Sequence, residues 1–276
     1  MEIAIDQIRH TFKHGHRIEE YYLYGLDRRG TDPSEYITEE YNLKVLGTIN
    51  AGWRINHAIT VSDKCLFSII MHDNHMPIPA TWGLLCKGNL FIEGDYATPV
   101  PMEALLQNDC HLLCKPIRGY SGLGILSIYV KDGQIHVMPS ILRIGTGESI
   151  VDNTSQGGLA VGIDTKTGYL KQYGFYKPAF GREVEENGKV ITYFKEEEHP
   201  DSHIRFAEFQ VPYFSEAVRQ AKYYHSMMPS LHSVGWDIAI GENGPIFIEG
   251  NENWEITGPQ TCNGGLKKEF EEYFFE

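Results

Sequence analysis

Val234-Gly-Trp-Asp-Ile-Ala-Ile240, Gly241-Glu-Asn-Gly-Pro245 and Ile246-Phe-Ile-Glu-Gly-Asn251 are two apolar runs separated by a turn-forming pentapeptide. This pattern predicts a β-hairpin. With the turn centred on Asn243, residues equidistant from it stand opposite each other, and Asp237 faces Glu249. Side chains alternate with period two, so Asn251 shares the face of Glu249. Two carboxylates and an amide oxygen then converge at one end of an apolar hairpin. Like charges directly opposite each other are unfavourable unless something positive lies between them. Hard oxygen donors grouped in this way suit Mg²⁺, which takes one or two carboxylates and leaves its other positions to water and phosphate. For an Asp–Glu pair taken alone, a solvated hairpin end is the commoner reading, and the rest of the chain decides between the two.

At 276 residues the chain can bury a substantial core, as one large domain or two small ones. Its 42% hydrophobic and 22% charged residues are ordinary for a soluble globular protein. A formal net charge of −13 argues against a sequence-independent nucleic-acid binder. It also means that an anionic ligand must be met by a few placed cations or a metal, not by the overall field. No apolar run is long enough to span a membrane. The N-terminus, Met-Glu-Ile-Ala-Ile-Asp, lacks the basic start and apolar core of a signal peptide. Cys65, Cys86, Cys110, Cys114 and Cys262 are an odd number without framework spacing. Free buried thiols in a reducing cytoplasm are expected.

Residues 1–60 read as mostly helical, with Ile5, Ile8 and Phe12 at helical spacing and Thr38 capping a helix that carries Tyr41 and Val45. Ser62-Asp-Lys64 opens a helix bearing Leu66, Phe67, Ile69 and Ile70, which ends before Pro77-Ile-Pro79. A short helix over Met102–Leu106 and a strand over His111–Lys115 follow. Hairpins are expected at Ile125–Val130 with Ile135–Met138, around Thr165–Gly168, and around Glu186–Gly188; Pro212–Met228 reads as an amphipathic helix. Strand hairpins with few interspersed helices indicate α+β, not an alternating βαβ sheet.

Lys115-Pro-Ile-Arg-Gly-Tyr-Ser-Gly-Leu-Gly124 joins two of these strands. It is neither the phosphate loop ending in Gly-Lys-Ser/Thr nor the dinucleotide fingerprint. Gly119, Gly122 and Gly124, with Ser121, let backbone N–H groups approach an anion, and Lys115 adds a point charge beside them. The order of these features is more specific than any one of them. Asp63-Lys64 precedes a helix and a Pro-x-Pro stretch, Lys115-Pro precedes the glycine loop, and Asp237 with Glu249-x-Asn251 closes the set. The chain thereby resembles the ATP-grasp superfamily. Leu142-Arg-Ile-Gly, Val151-Asp-Asn, Gly157-Gly-Leu, Ile163-Asp-Thr-Lys-Thr-Gly-Tyr-Leu170, His199-Pro-Asp, Val234-Gly-Trp-Asp-Ile-Ala and Ile248-Glu-Gly-Asn resemble its sugar-transfer-associated, glutamate-ligase-like family. The likeness covers most of residues 40–260.

The resemblance implies an ATP-grasp fold of two α+β subdomains clasping a nucleotide cleft, with an N-terminal helical segment. The expected boundaries are 1–60 for that segment, 61–134 for the subdomain with Lys64, Lys115 and the glycine loop, and 135–276 for the subdomain with the metal hairpin. It further implies ATP held by Lys64, Lys115, Arg118, Gly119, Ser121, Gly122 and Gly124, and one or two Mg²⁺ ions on Asp237, Glu249 and Asn251. One departure is large. A long segment that reads adenine and ribose should separate the hairpin after the glycine loop from the Arg-Ile-Gly motif, yet Gln134 runs almost directly to Arg143. A stretch omitted near residues 134–140 is the favoured explanation, and a break is expected there.

Arg143, followed by Gly145 and Gly147, can aim its guanidinium at a transferring phosphoryl group or serve as a surface ion pair at a strand end. Asn153 with Gly157-Gly158 can let backbone approach an acceptor oxyanion, or form a simple turn. Lys64 opposes the helix dipole at its position, which favours a role beyond solvation. His72 and His75 read as an exposed helix end, and His199, His203 and His225 show no pairing. Nothing resembles a Ser/His/Asp triad or an activated Cys. The expected activity is an ATP- and Mg²⁺-dependent ligase that activates a small-molecule carboxylate as an acyl phosphate for attack by an amine. A small-molecule kinase, or a non-catalytic binding protein if the 134–140 segment is truly short, are the alternatives.

Overall fold

The computed structural model describes residues 2–28, 30–51, 58–80, 83–86, 89–92, 95–101, 125–131, 133–146, 158–177, 181–186 and 189–275. Helices α1 (Glu2–His14), α2 (Ile18–Leu23) and α3 (Glu39–Ala51) open the chain, and α4 (Ala58–Ser62) and α5 (Lys64–Asp73) follow. Thr38 caps α3 by accepting from the Tyr41 N–H at 3.1 Å, and Asp63 caps α5 through Cys65 and Leu66 N–H at 3.0 and 3.1 Å. Tyr21 of α2 and Tyr24, which caps its C-terminal end, are buried, whereas Ile5, Ile8 and Phe12 of α1 face solvent. The spacing identified that helix correctly, but periodicity does not say which side is covered. On α5 likewise, Phe67 and Met71 enter the core, and Leu66 and Ile69 stay exposed.

Strands β1 (Gly83–Cys86), β2 (Asn89–Ile92) and β3 (Asp95–Pro101) form a three-stranded antiparallel sheet. The larger sheet contains β4 (Ile125–Lys131), β5 (Gln134–Val137), β6 (Ser140–Ile144), β7 (Leu159–Ile163), β8 (Leu170–Phe175), β11 (Lys195–Glu196), β12 (Ser233–Gly241) and β13 (Gly244–Asn251). Its order is β11-β8-β7-β6-β4-β12-β13, with β5 pairing β4. A separate hairpin joins β9 (Arg182–Glu186) to β10 (Lys189–Tyr193). Helix α6 (Phe214–Ser226) packs on one face of the large sheet, and α7 (Thr257–Asn263) and α8 (Lys267–Phe275) complete the chain. The architecture is mixed α+β with antiparallel sheets and N-terminal helices.

The expected break at 134–140 is absent. Met138 and Pro139 alone join β5 to β6. Both strands run along the same side of β4, β5 opposite Ile128–Lys131 and β6 opposite Ile125. Because β6 continues the line of β5, the chain needs no long excursion to reach Arg143. The short helix and strand read at 102–115 lie outside the described residues.

One face of the sheet is apolar. Val234, Trp236, Ile238 and Phe247 pack with Ala217, Ala221 and Tyr224 of α6 and Phe67 and Met71 of α5, and a contiguous cluster around Leu159, Val161, Phe206 and Phe214 extends it toward β7 and β8. Trp236 and Phe247 are fully buried with rings edge-to-face at 5.5 Å, each side chain stabilising the fold by roughly 1.5–3 kcal/mol through burial alone. The edge of β13 is covered where the Phe247 N–H donates to Pro77 O at 2.7 Å.

Candidate functional site

The β12–β13 hairpin pairs Gly235 with Asn251, Trp236 with Gly250 and Asp237 with Glu249, as the sequence indicates. Nearer the turn the register differs: Ile238 pairs with Phe247, Ala239 with Ile246, and Gly241 with Gly244. The turn is therefore the two residues Glu242 and Asn243, and Ile248 is a β-bulge. The bulge has a specific effect. Opposed residues share a face and successive residues on β12 alternate, so Phe247 follows Ile238 into the core and Glu249 follows Asp237 to the other face. A regular strand would send Phe247 and Glu249 the same way.

Asp237 and Glu249 are 3% and 1% exposed, and each meets a cation. Lys64 Nζ lies 2.8 Å from Glu249 Oε2, with the lysine side chain 18% exposed. Arg143, from β6, brings its guanidinium to 3.8 Å from Asp237 Oδ1 and is itself largely buried. Asn251 Nδ2 is 3.4 Å from Asp237 Oδ2. Five of the residues read from sequence thus meet in one place: Lys64, Arg143, Asp237, Glu249 and Asn251. The ammonium and the guanidinium balance the two carboxylates, which answers the like-charge problem posed by a facing Asp–Glu pair. Ile125, which directly follows the glycine-containing segment, pairs with Asp237. Lys115, Arg118, Gly119, Ser121, Gly122, Gly124 and Asn153 lie outside the described residues.

The donor set fits Mg²⁺. Two buried carboxylates converge with an amide whose oxygen takes the place of its nitrogen on a half-turn. Among the described residues no group of three or more His, Cys, Asp or Glu side chains is placed to hold a metal. A cation here would take two carboxylates and the amide, with water and phosphate completing its shell.

The surroundings hold this hairpin end in place. Trp254, three residues past Asn251, lies over Gly235, where an added Cβ would fall 2.5 Å from Trp254 Cβ. Trp254 Nε1 donates to Ser233 Oγ at 3.0 Å, and Asn42 Nδ2 donates to Trp254 O at 2.9 Å. Glu39 Oε2 accepts from the Ile256 N–H at 2.9 Å, and burial pushes its carboxyl up to about 7. Gln260 links Ile37 N–H, Ile37 O and the Tyr24 hydroxyl, tying α7 to the N-terminal helices. On the β6–β8 side α7 covers the same face, through Cys262 against Ile141 and Ala160.

The histidines correct the reading from sequence. His199 Nδ1 accepts from Asp201 and Ser202 N–H, each at 3.2 Å, which leaves Nε2–H to donate to Gly145 O at 3.0 Å, two residues beyond Arg143. His203 lies 3.0 Å from Glu198 Oε1. His225 is buried against Leu231 O, and burial pushes it down to about 4. His72 and His75 are exposed, as expected. Neither Cys65 nor Cys262 forms a disulfide, and burial pushes Cys262 up to about 12. No helix among the described residues is long and apolar enough to cross a membrane.

The profile of the sugar-transfer-associated ATP-grasp family matches residues 126–272, more than half of the chain, and the protein belongs to that family. The match includes Arg143, Asp237, Glu249 and Asn251. Membership implies the ATP-grasp fold and suggests an ATP-dependent, ligase-type activity on small molecules, usually with Mg²⁺. Neither curated proteins nor solved structures gave a match.

Proposed function

We propose that the protein is an ATP- and Mg²⁺-dependent ligase that activates a small-molecule carboxylate as an acyl phosphate and joins it to an amine. The observation that carries this reading is the buried, charge-balanced cluster of Asp237, Glu249, Lys64 and Arg143 on one face of the sheet. Asp237, Glu249 and Asn251 would hold Mg²⁺, which neutralises phosphate charge when bound. Lys64 and Arg143 face the carboxylates and would meet phosphate oxygens as the nucleotide enters. Lys115, Arg118, Gly119, Ser121, Gly122 and Gly124 belong to the nucleotide site, and Asn153 to the acceptor side, on the strength of the motif order. Closure of the part that carries Lys115 and the glycine loop toward the large sheet would exclude water from the acyl phosphate. The carboxylate oxygen attacks the γ-phosphorus and ADP leaves; the amine then attacks the acyl carbon, and inorganic phosphate leaves with loss of the amine proton.

A kinase that stops after phosphoryl transfer would use the same groups. The short Met138–Pro139 link favours a second reading, a non-catalytic protein lacking the adenine-reading segment. Equilibrium binding of MgATP separates this reading from the first. ADP release, screened over amino acids and sugar acids with and without amines, separates ligase from kinase: release that requires an amine supports the ligase, and absence of MgATP binding removes both enzymes.

A further inference from the structure

Helix α1 presents its apolar side to solvent and docks through its polar side. Ile5, Ile8 and Phe12 are exposed, Phe12 at 90%. On the inner side Asp6 accepts a 2.7 Å hydrogen bond from the Tyr21 hydroxyl, and the His10 ring packs edge-on against Tyr21. His10 Nε2 lies 2.9 Å from Nδ1 of buried His16. The His14 ring completes the group, its centroid 4.8 Å from that of His10 and 6.3 Å from that of His16, and Tyr24 packs edge-on against His16. Three imidazoles therefore form the junction between α1, the Gly15 turn and α2.

A hydrogen bond between imidazoles needs a proton on one nitrogen and a lone pair on the other, so it exists only while at least one ring is neutral. With both rings cationic, two N–H groups oppose each other at the present 2.9 Å spacing, beside a third histidine. We propose that His10, His14 and His16 form a pH-operated latch that holds α1 against α2 at neutral pH and releases it in mild acid.

Burial is the main cause holding both His10 and His16 below the ordinary 6.5, and the neighbouring histidines add to it. Of the other groups facing the cluster, Lys13 on α1 disfavours a charged His10, and Lys267 on α8 disfavours a charged His16. Asp6 favours a charged His10, and a hydrogen bond that His16 donates to the Tyr36 backbone favours a charged His16, but neither outweighs burial; Asp32 faces His14. Burial pushes the Tyr21 hydroxyl up to about 12 and raises Tyr24 as well, so neither titrates in this range. Glu20 on α2 gives its carboxylate to the N–H groups of Arg17 and Glu39. A histidine with a depressed folded value contributes stability that is present above the unfolded value of 6.5 and is lost as pH falls through the folded one. With its apolar side outward, α1 has little buried apolar area to retain it once the latch is charged.

Hydrogen exchange on the full chain at about pH 8 and about pH 5.5, corrected for intrinsic rates, tests this. Amides of α1 are expected to lose roughly tenfold or more of their protection at the lower pH, while those of β12 and β13 keep theirs. The His10→Gln/His16→Gln variant, whose amides retain hydrogen bonding without titrating, should lose the pH dependence. His14→Gln alone should shift it to lower pH, which keeps the test open if the double variant does not fold. Equal α1 protection at both pH values, a helix already unprotected at pH 8, or an unchanged pH response in the double variant would each overturn the latch.

Discussion

Replacing Lys64 with methionine tests the charge balance of the site directly. The substitution keeps the apolar stem of the side chain and removes the ammonium 2.8 Å from a carboxylate that is 1% exposed. At that separation and an effective dielectric near 20 the Coulomb term is about 6 kcal/mol. Desolvation offsets part of it, and breaking a buried pair by removing one partner typically costs about 3–5 kcal/mol. Lys64 is 18% exposed, so the lower end applies, about 3 kcal/mol. For a chain of this size that corresponds to a fall in Tm of about 6–12 °C. Urea and thermal unfolding of Lys64→Met and of Lys64→Met/Glu249→Gln measure it. The double variant should recover at least half of the loss, because no charge is then left buried without its partner. A single variant within about 1 kcal/mol of the parent would mean that solvent already screens the pair. A double variant no better than the single one would assign the loss to packing. Either result refutes the reasoning.

Glu249→Gln should abolish MgATP-dependent ADP release while far-UV circular dichroism stays unchanged, since it removes a metal donor and no core side chain; retained turnover would exclude Glu249 as a ligand. Millimolar MgCl₂ without nucleotide should raise the Tm of Lys64→Met more than that of the parent, because the ion supplies the charge the ammonium no longer does; equal shifts would place Mg²⁺ elsewhere. Glu39 carries a raised folded value of about 7 against 4.5, so its contribution is fully present below 4.5 and is lost as pH rises through 7. The expected loss is about 3 kcal/mol, and Glu39→Gln, which still accepts from Ile256 N–H, should flatten this slope and be the more stable protein at pH 8. Gly235→Ala places a Cβ against Trp254 and should destabilise by about 1–3 kcal/mol, measured by urea unfolding, with a change in Trp254 fluorescence.

Much of the site was legible because it depends on local alternation. Asp237, Glu249 and Asn251 fall on one face from period two alone, and Lys64 drew attention because a cation at a helix N-terminus runs against the dipole. Its partner was not legible, since the ion pair joins residues far apart in sequence. The bulge was hidden because the run Ile246-Phe247-Ile248 before Glu249 fits a regular strand equally well until the core partner is known. The outward face of α1, the bond from His199 to Gly145 and the seat of Trp254 on Gly235 are likewise tertiary facts. The His10-x-x-x-His14-x-His16 pattern was present in the sequence, but only the turn at Gly15, with φ of 79°, folds His16 back onto His10.

The bulge at Ile248 also makes the hairpin interchangeable with a differently built one. A regular hairpin with a three-residue turn centred on Asn243 would still set Asp237 opposite Glu249, but it would pair Ile238 with Ile248 and turn Phe247 toward the charged face. The site geometry is thus compatible with two loop lengths, whereas the core accepts one. A change of one residue in the 242–243 turn can therefore be absorbed by losing the bulge, leaving the carboxylates in place while replacing the buried phenylalanine by isoleucine against Trp236. Chemistry and packing in this hairpin are set by separate residues and are free to drift independently.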